Sequence, residues 1–439
     1  MNVITMVFGP DALPDGGALL HAADVLVEYQ QSGHALIAVI GALPGVTEML
    51  RESVELANYV RVHNKLLSIH TSAARKLIHE PGDRALLIHD VGDILETYSW
   101  TGRSMQNRTP TPPEAAAVLA VGERLSARLL AGHLQNRGIQ AVHVADAIVT
   151  DDDYLTATPD IETIHKRCQE KLLPLLEQGY IVVVGGSLGM TEQGKLTRLS
   201  GDGLYLTGSL LAAHCGAESL WVMTDRAGVL TADPKLFADA QTVPVLAAKA
   251  LDDLAAHGLH IPTTVSITPA VEARIPVYIR SVFDPTHPGT YIQPREDADS
   301  LPVIIARKNI RILTLTGENL NVDAGLQALE AEHITALVGF SDTDTLHFIL
   351  RVDQANIARL ALSQVFTGAR IESENMRSAL VTLIGTDVDS AAYLARRLDM
   401  PARVLAVSGR SGQRYPALLV DEDNIETIIV KIHNLILPH

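Results

Sequence analysis

The chain has 439 residues, 47% hydrophobic and 20% charged, which is enough apolar material for two or three domains and excludes disordered and fibrous classes. A formal net charge of −16 at pH 7, with no basic run to offset it, excludes a nucleic acid or a membrane surface as an expected partner. The apolar stretches break well before the ~18 residues of a membrane span, and Met1–Val7 lacks the basic segment and cleavage site of a signal peptide, so a cytoplasmic location is expected.

Val3–Phe8 reads as a strand ending at Gly9-Pro10, followed by helical spacing at Leu19, Leu20, Ala23 and Val27. Ala35–Ile40 is a second buried strand that runs into the small-residue loop Gly41–Gly45. Two strands with such loops at their carboxyl ends predict a doubly wound α/β domain with its ligand site outside those ends. Val46–Ile78 reads as one helix, Asp83–Ser99 as further helix, and Thr109–Pro113 as a stiff linker before a helix over Glu114–Gln135. Ala141–Ala147 reads as a strand and Thr150–Thr158 as a polar loop. Ile181–Lys235 is the centre of the pattern: strand Ile181–Val184, a Gly-rich loop, a helix, strand Leu220–Met223 and a loop closing on Asp233-Pro234. Helices over Ala247–His257 and Val265–Ala273, a strand over Val277–Val282 and the turn Asp284–Gly289 complete a first domain over 1–295. The two cysteines, Cys168 and Cys215, cannot form a disulfide framework and sit at no zinc-finger spacing, so they read as buried thiols; no metal ligands are expected.

The remainder repeats a βαββα order twice, the mark of two ferredoxin-like modules over 296–372 and 373–439. The first unit of the repeat is Ile310–Thr316, Asp323–Glu332, Ile334–Gly339, Thr345–Arg351 and Gln354–Val365. The second is Ala379–Gly385, Ala391–Arg397, Ala402–Ser408, Tyr415–Val420 and Glu422–Leu435, with Leu301–Arg307 an extra strand able to complete it. Modules of this kind pair at their edges, so a homo-oligomer, most simply a dimer, is expected. No P-loop, Rossmann glycine fingerprint or GxSxG elbow occurs in the chain.

Six words in order, VFGPDAL, GALPGVTEML, VGERLSARLLAGHL, GGSLGMTEQGKLTRLSGDG, TDRAGVLTADPK and IPVYIRSVFDPTHPGTYI, resemble the aspartate kinases over nearly the whole chain. The resemblance implies an amino-acid kinase fold followed by two ACT modules of βαββαβ type. It also implies transfer of the ATP γ-phosphoryl, with Mg²⁺, to the side-chain carboxylate of aspartate, and an amino acid bound by the ACT modules. Phosphoryl transfer of this kind rests on positioning and charge neutralisation.

Several of the family's charges are replaced. Where the family has Lys-Phe-Gly-Gly-Thr-Ser, this chain has Val7 for the lysine, Pro10 for the second glycine, and Asp11-Ala12 for Thr-Ser. Leu-Gly-Arg-Gly-Gly-Ser-Asp becomes Leu199-Ser200-Gly201-Asp202-Gly203-Leu204-Tyr205, so Gly201 stands for the substrate arginine and Tyr205 for the aspartate. Gly-Ala-Lys-Val-Leu-His-Pro becomes Gly258–Thr264, with His260 for the lysine, while Ala227, Leu230 and Lys235 depart from the nucleotide word. The resemblance places Glu123, which is retained, with Arg198 and Tyr205 on the substrate side, and Gly9, Gly186, Gly189, Thr224, Asp225, Gly228 and Asp233, with Lys235 in place of an arginine, on the nucleotide side. Arg198 and His260 are the displaced candidates for catalytic charge, and Asn319, Asn321 and Asp387 the candidates for effector binding. Three functions follow: an aspartokinase-like protein inactive towards aspartate that binds an amino acid and regulates, a repurposed ATP-dependent kinase or related enzyme acting on another amino acid or carboxylate in specialised metabolism, or a divergent active aspartate kinase. ATP and Mg²⁺ belong to the last two.

Overall fold

The computed structural model describes residues 1–294, 301–332, 334, 336–342, 344–374, 377–386, 397–398, 403–408 and 414–436. It separates into two compact units, Met1–Gly228 with His260–Ile292, and Val229–Leu259 with Gln293–His439. The segment Val229–Leu259, grouped with the first 295 residues from sequence, therefore clusters with the C-terminal part.

Strands are numbered along the chain. The first unit contains β1 (Val3–Phe8), β2 (Ala35–Ile40), β3 (Ala141–His143), β4 (Ile181–Gly185), β7 (Ser219–Thr224), β9 (Val277–Ser281) and β10 (Thr290–Gln293), in the order β3-β4-β2-β1-β7-β9-β10. All neighbouring pairs are parallel except β9 with β10. Every residue of β1 is buried, as a parallel strand covered on both faces requires. The pleat divides it: Ile4, Met6 and Phe8 join a core with Leu26, Leu66, Leu95, Leu129 and Leu130 from the helices on one face. Val7 points the opposite way and packs on Gly208 of the helix Gly203–His214. Because the strands are parallel and adjacent, the chain leaves β1, β2, β4 and β7 along a single edge, and Gly9, Gly41, Gly186 and Asp225 gather there.

Several elements differ from the sequence reading. The helix expected over 46–78 is two, Val46–Leu56 and Tyr59–Leu77, because Ala57 turns left-handed at φ 52° and ends the first. The helix expected over 114–135 is also two, Pro112–Leu119 and Val121–Asn136. Thr111, read as linker, caps the first: Thr111 and Glu114 form a reciprocal capping box, with Thr111 N donating to Glu114 Oε2 at 3.0 Å and Pro112 in the first turn. The helix expected over 83–99 runs from Pro81 to Ser104. The strand expected over 141–147 stops at His143. Between β4 and its following helix, the glycine-rich stretch is a hairpin, β5 (Leu188–Met190) with β6 (Leu196–Arg198), rather than loop alone.

The second unit holds the short strand β8 (Val245–Ala247), the helix Lys249–Ala256 and two antiparallel sheets. The first module is β12 (Ile310–Thr316), helix Val322–Ala331, β13 (Val338–Asp342), β14 (Thr345–Arg351), helix Ala355–Val365 and β15 (Arg370–Glu374), in sheet order β13-β14-β12-β15. The second is β16 (Ser378–Ile384), β17 (Arg403–Ser408), β18 (Arg414–Asp421) and helix Ile425–Ile436; the helix expected over 391–397 lies almost wholly outside the described residues. Its order is β17-β18-β16 with β11 (Val303–Arg307) beyond β16. β11 pairs antiparallel with β16 as β15 does with β12, so the strand before the first module fills the edge place in the second. Each sheet covers its own core, Leu313, Phe348 and Leu362 in one and Val381, Leu418 and Ile428 in the other.

Candidate functional site at the carboxyl ends of the parallel strands

The glycines that end β1, β2 and β4 form a cradle, and Leu204 lies in it, with the Tyr205 hydroxyl beside it at Gly9. A methyl group built on Gly9 would meet Leu204 Cδ2 at 3.4 Å, one on Gly41 would meet it at 3.5 Å, and one on Gly186 would collide with Leu204 Cδ1. Leu204 reaches this place from the first turn of the helix Gly203–His214, whose neighbour Gly203 lets the turn approach Ser187 and Leu199. Backbone bared by three glycines at strand ends is the kind of surface that approaches an anionic group closely; here an isobutyl group covers it. The glycines are legible in the sequence, whereas the only sign of this contact there is Leu204 at the place of the family's serine.

Tyr205 follows on the same helix and is buried, its hydroxyl donating to His260 O at 2.8 Å. Burial first, and then the Asp11 and Asp202 carboxylates, push its hydroxyl pKa far up, so it stays a neutral donor. His260 Nδ1 pairs in turn with Asp11 Oδ1 at 2.7 Å at the surface, and Asp202 Oδ2 accepts from Thr263 N at 3.1 Å. The loop after β1, the start of the helix and the 260–263 segment are thus bound to one another.

Glu123 and Arg198 meet. Arg198, at the end of β6, donates through Nη2 to Glu123 Oε1 at 3.2 Å and through Nη1 to Leu119 O at 2.8 Å. The side chains are 5% and 15% exposed, so each charge has left bulk water and has the other as its counter-ion. Arg128, further along the same helix, is bound to Asp90. Lys195, at the tip of the hairpin, lies 6.0 Å from the Tyr154 ring.

The remaining positions fall in turns. Thr224 Oγ1 accepts from Arg226 N at 3.1 Å and donates to Asp225 Oδ1 at 3.2 Å. Gly228 sits at φ 111° with its α-carbon against Thr290, a conformation and a contact that exclude a side chain. Gly189 is held equally close to Thr150 and Thr197 within the hairpin, and Gly201 is left-handed with open space around it. Asp233 and Lys235 belong to the second unit, where Asp233 Oδ1 accepts from Lys235 N at 3.1 Å. In the first C-terminal module Asn319 is left-handed at φ 56° and Asn321 caps the helix Val322–Ala331, accepting from Ala324 N at 2.9 Å; Asp387 lies outside the described residues. Among the described residues, His89, Asp90 and Asp93 are the group whose ligand atoms converge as a metal set would, on the helix Pro81–Ser104 and partly committed to Arg128. No described helix is long and apolar enough to cross a membrane.

A doubly wound sheet with its glycine loops at one edge, followed by two four-stranded antiparallel sheets, defines an amino-acid kinase architecture with ferredoxin-like appendages. Residues 4–281 match the amino acid kinase family, and the chain belongs to that family. Its fold is that of the aspartokinases. It is 23% identical over 454 residues to lysine-sensitive aspartokinase 3 of Escherichia coli, with 99% of each chain covered. It is 27% identical over 291 residues to the aspartokinase of Chlamydia trachomatis, a match covering 65% of this chain and 63% of that enzyme. Among solved structures, E. coli aspartokinase III in complex with lysine and aspartate superposes with a TM-score of 0.80 at 22% identity over the full length of both chains.

Proposed function

We propose that this chain is an aspartokinase-like protein that is inactive towards aspartate and acts as an amino-acid-binding regulatory protein through its two ACT-type modules. The observation that carries this reading is Leu204 lying across Gly9, Gly41 and Gly186, the place where the family's chemistry needs backbone donors open to phosphate oxygens. Two further features support it. Val7, at the position of the family's lysine, is fully buried against Gly208, so the cation is missing and its place belongs to the core. Glu123 is paired with Arg198, which takes up the carboxylate that the resemblance places on the substrate side. These residues do not fit the triphosphate of Mg-ATP. The solved relative with lysine and aspartate bound makes an amino acid the ligand class to test first.

The test joins two measurements. Pure protein with ATP, Mg²⁺, aspartate and hydroxylamine is expected to yield no aspartyl hydroxamate, and a panel of amino acids is expected to raise its melting temperature while millimolar Mg-ATP does not. Hydroxamate formation would establish an active aspartate kinase and overturn the proposal. A shift with Mg-ATP and turnover of another carboxylate would establish the repurposed enzyme.

A further inference from the structure

The two cysteines, far apart in sequence, are brought together. Cys168 starts a π-helical turn, Cys168–Leu172, that continues the helix Ile161–Arg167, and Cys215 closes the helix Gly203–His214, its N–H donating to Leu211 O at 2.9 Å. Both thiols are buried. Their juxtaposition rests on contacts on either side as well as their own. The rings of His165 and His214 meet edge to face at 5.6 Å, and Gln169 Nε2 donates to His214 O at 3.3 Å. Residues 165, 168 and 169 share one helix face, so Cys168 lies on the face that meets His214, the residue before Cys215, and the two thiols are neighbours. His165, Gln169 and Gly216 are exposed, which puts the pair one residue beneath the surface. The four His and Cys side chains do not converge as a metal set among the described residues, so a metal is not the reading.

We propose that Cys168 and Cys215 are a site of reversible oxidation, forming an internal disulfide with hydrogen peroxide that ties the helix begun at Ile161 to the helix carrying Leu204 and Tyr205. In the first step the Cys215 sulfur attacks one peroxide oxygen and the O–O bond breaks. The departing hydroxide takes the thiol proton and leaves as water, giving a sulfenic acid on Cys215. The Cys168 sulfur then attacks the Cys215 sulfur and the S–O bond breaks. The second hydroxide takes the Cys168 proton, so two thiols are oxidised by two electrons while one peroxide becomes two waters. The Cys168 contact, and burial after it, hold the Cys215 thiol well above its ordinary pKa. The first step is therefore slow at neutral pH and accelerates as pH rises, because the thiolate is the nucleophile. Once the sulfenic acid forms, the neighbouring thiol is already in place and the second step is fast.

The experiment uses the reduced full-length chain exposed to hydrogen peroxide at neutral and alkaline pH, followed by denaturing thiol titration and intact mass. Both thiols are expected to disappear together, the monomer to lose two hydrogens in mass, and dithiothreitol to restore both. The oxidised form is expected to melt several degrees higher, since a long loop is closed in the unfolded chain. In Cys168→Ser, oxidation of Cys215 is expected to add oxygen instead of losing hydrogen. Persistence of both thiols at alkaline as well as neutral pH, oxygen addition to the wild-type cysteines, or disulfides only between two chains would overturn the proposal. The wild-type measurement stands whether or not the variant folds.

Discussion

At the scale of single residues, the candidate site is decided by three side chains that replace ligand contacts with internal ones. Arg198 gives Glu123 a permanent counter-ion, and both have left water. Arg198→Ala strands the Glu123 carboxylate, and denaturant unfolding is expected to show a loss of about 3–5 kcal/mol. Replacing both partners together, with Glu123→Gln and Arg198→Met, is expected to cost less than that single change. Leu204 is the second. Gly186→Ala drives a methyl group into Leu204 Cδ1 and is expected to destabilise by roughly 1–3 kcal/mol. The same change in a Leu204→Ala background is expected to be much milder, and a double-mutant cycle on melting measures the coupling. Tyr205 is the third, its hydroxyl bound to His260 O where the family has an acid. Sequence shows each of these replacements, but not that Arg198 finds Glu123 from β6 or that Leu204 crosses three glycines.

At the scale of elements, local chemistry decided more than periodicity did. The two long helical patterns were correct in type, yet each is two helices, because the apolar spacing continues across Ala57 and Ala120 while the backbone does not. Thr111 was legible in hindsight, since Thr-x-x-Glu is a capping signature. Thr111→Ala removes one half of that box and is expected to lower stability by about 1 kcal/mol, read as a fall in thermal midpoint, with Thr111→Ser retaining most of it. The β5–β6 hairpin escaped notice because its strands are three residues each and its glycines suggest loop. The strand Leu301–Arg307 was read as able to complete the second module; β11 runs antiparallel to β16 at its edge.

At the scale of the whole molecule, buried neutral histidines set a pH dependence. Burial lowers His70, His143 and His257 to about 4, with nearby arginines adding to the effect at the last two. A histidine depressed in the folded state binds fewer protons than its unfolded counterpart between about pH 6.5 and 4. Stability is therefore expected to fall as pH drops through that window, and urea midpoints at pH 7.5 and 5.5 measure it. Replacing His257, which bonds Thr382 Oγ1 at 3.1 Å, by Gln is expected to reduce the slope. The sequence by itself determined the doubly wound α/β sheet, the order of the first βαββα module and the family, because strand burial, glycine loops and motif order are local patterns that survive in one dimension. Only the tertiary structure decided that Val7 packs on Gly208, that Glu123 is held by Arg198, that Leu204 fills the glycine cradle and that Cys168 meets Cys215. Each of these is a contact between residues that only the folding of strands and helices brings within a few ångströms, and neither spacing nor residue type encodes such a distance.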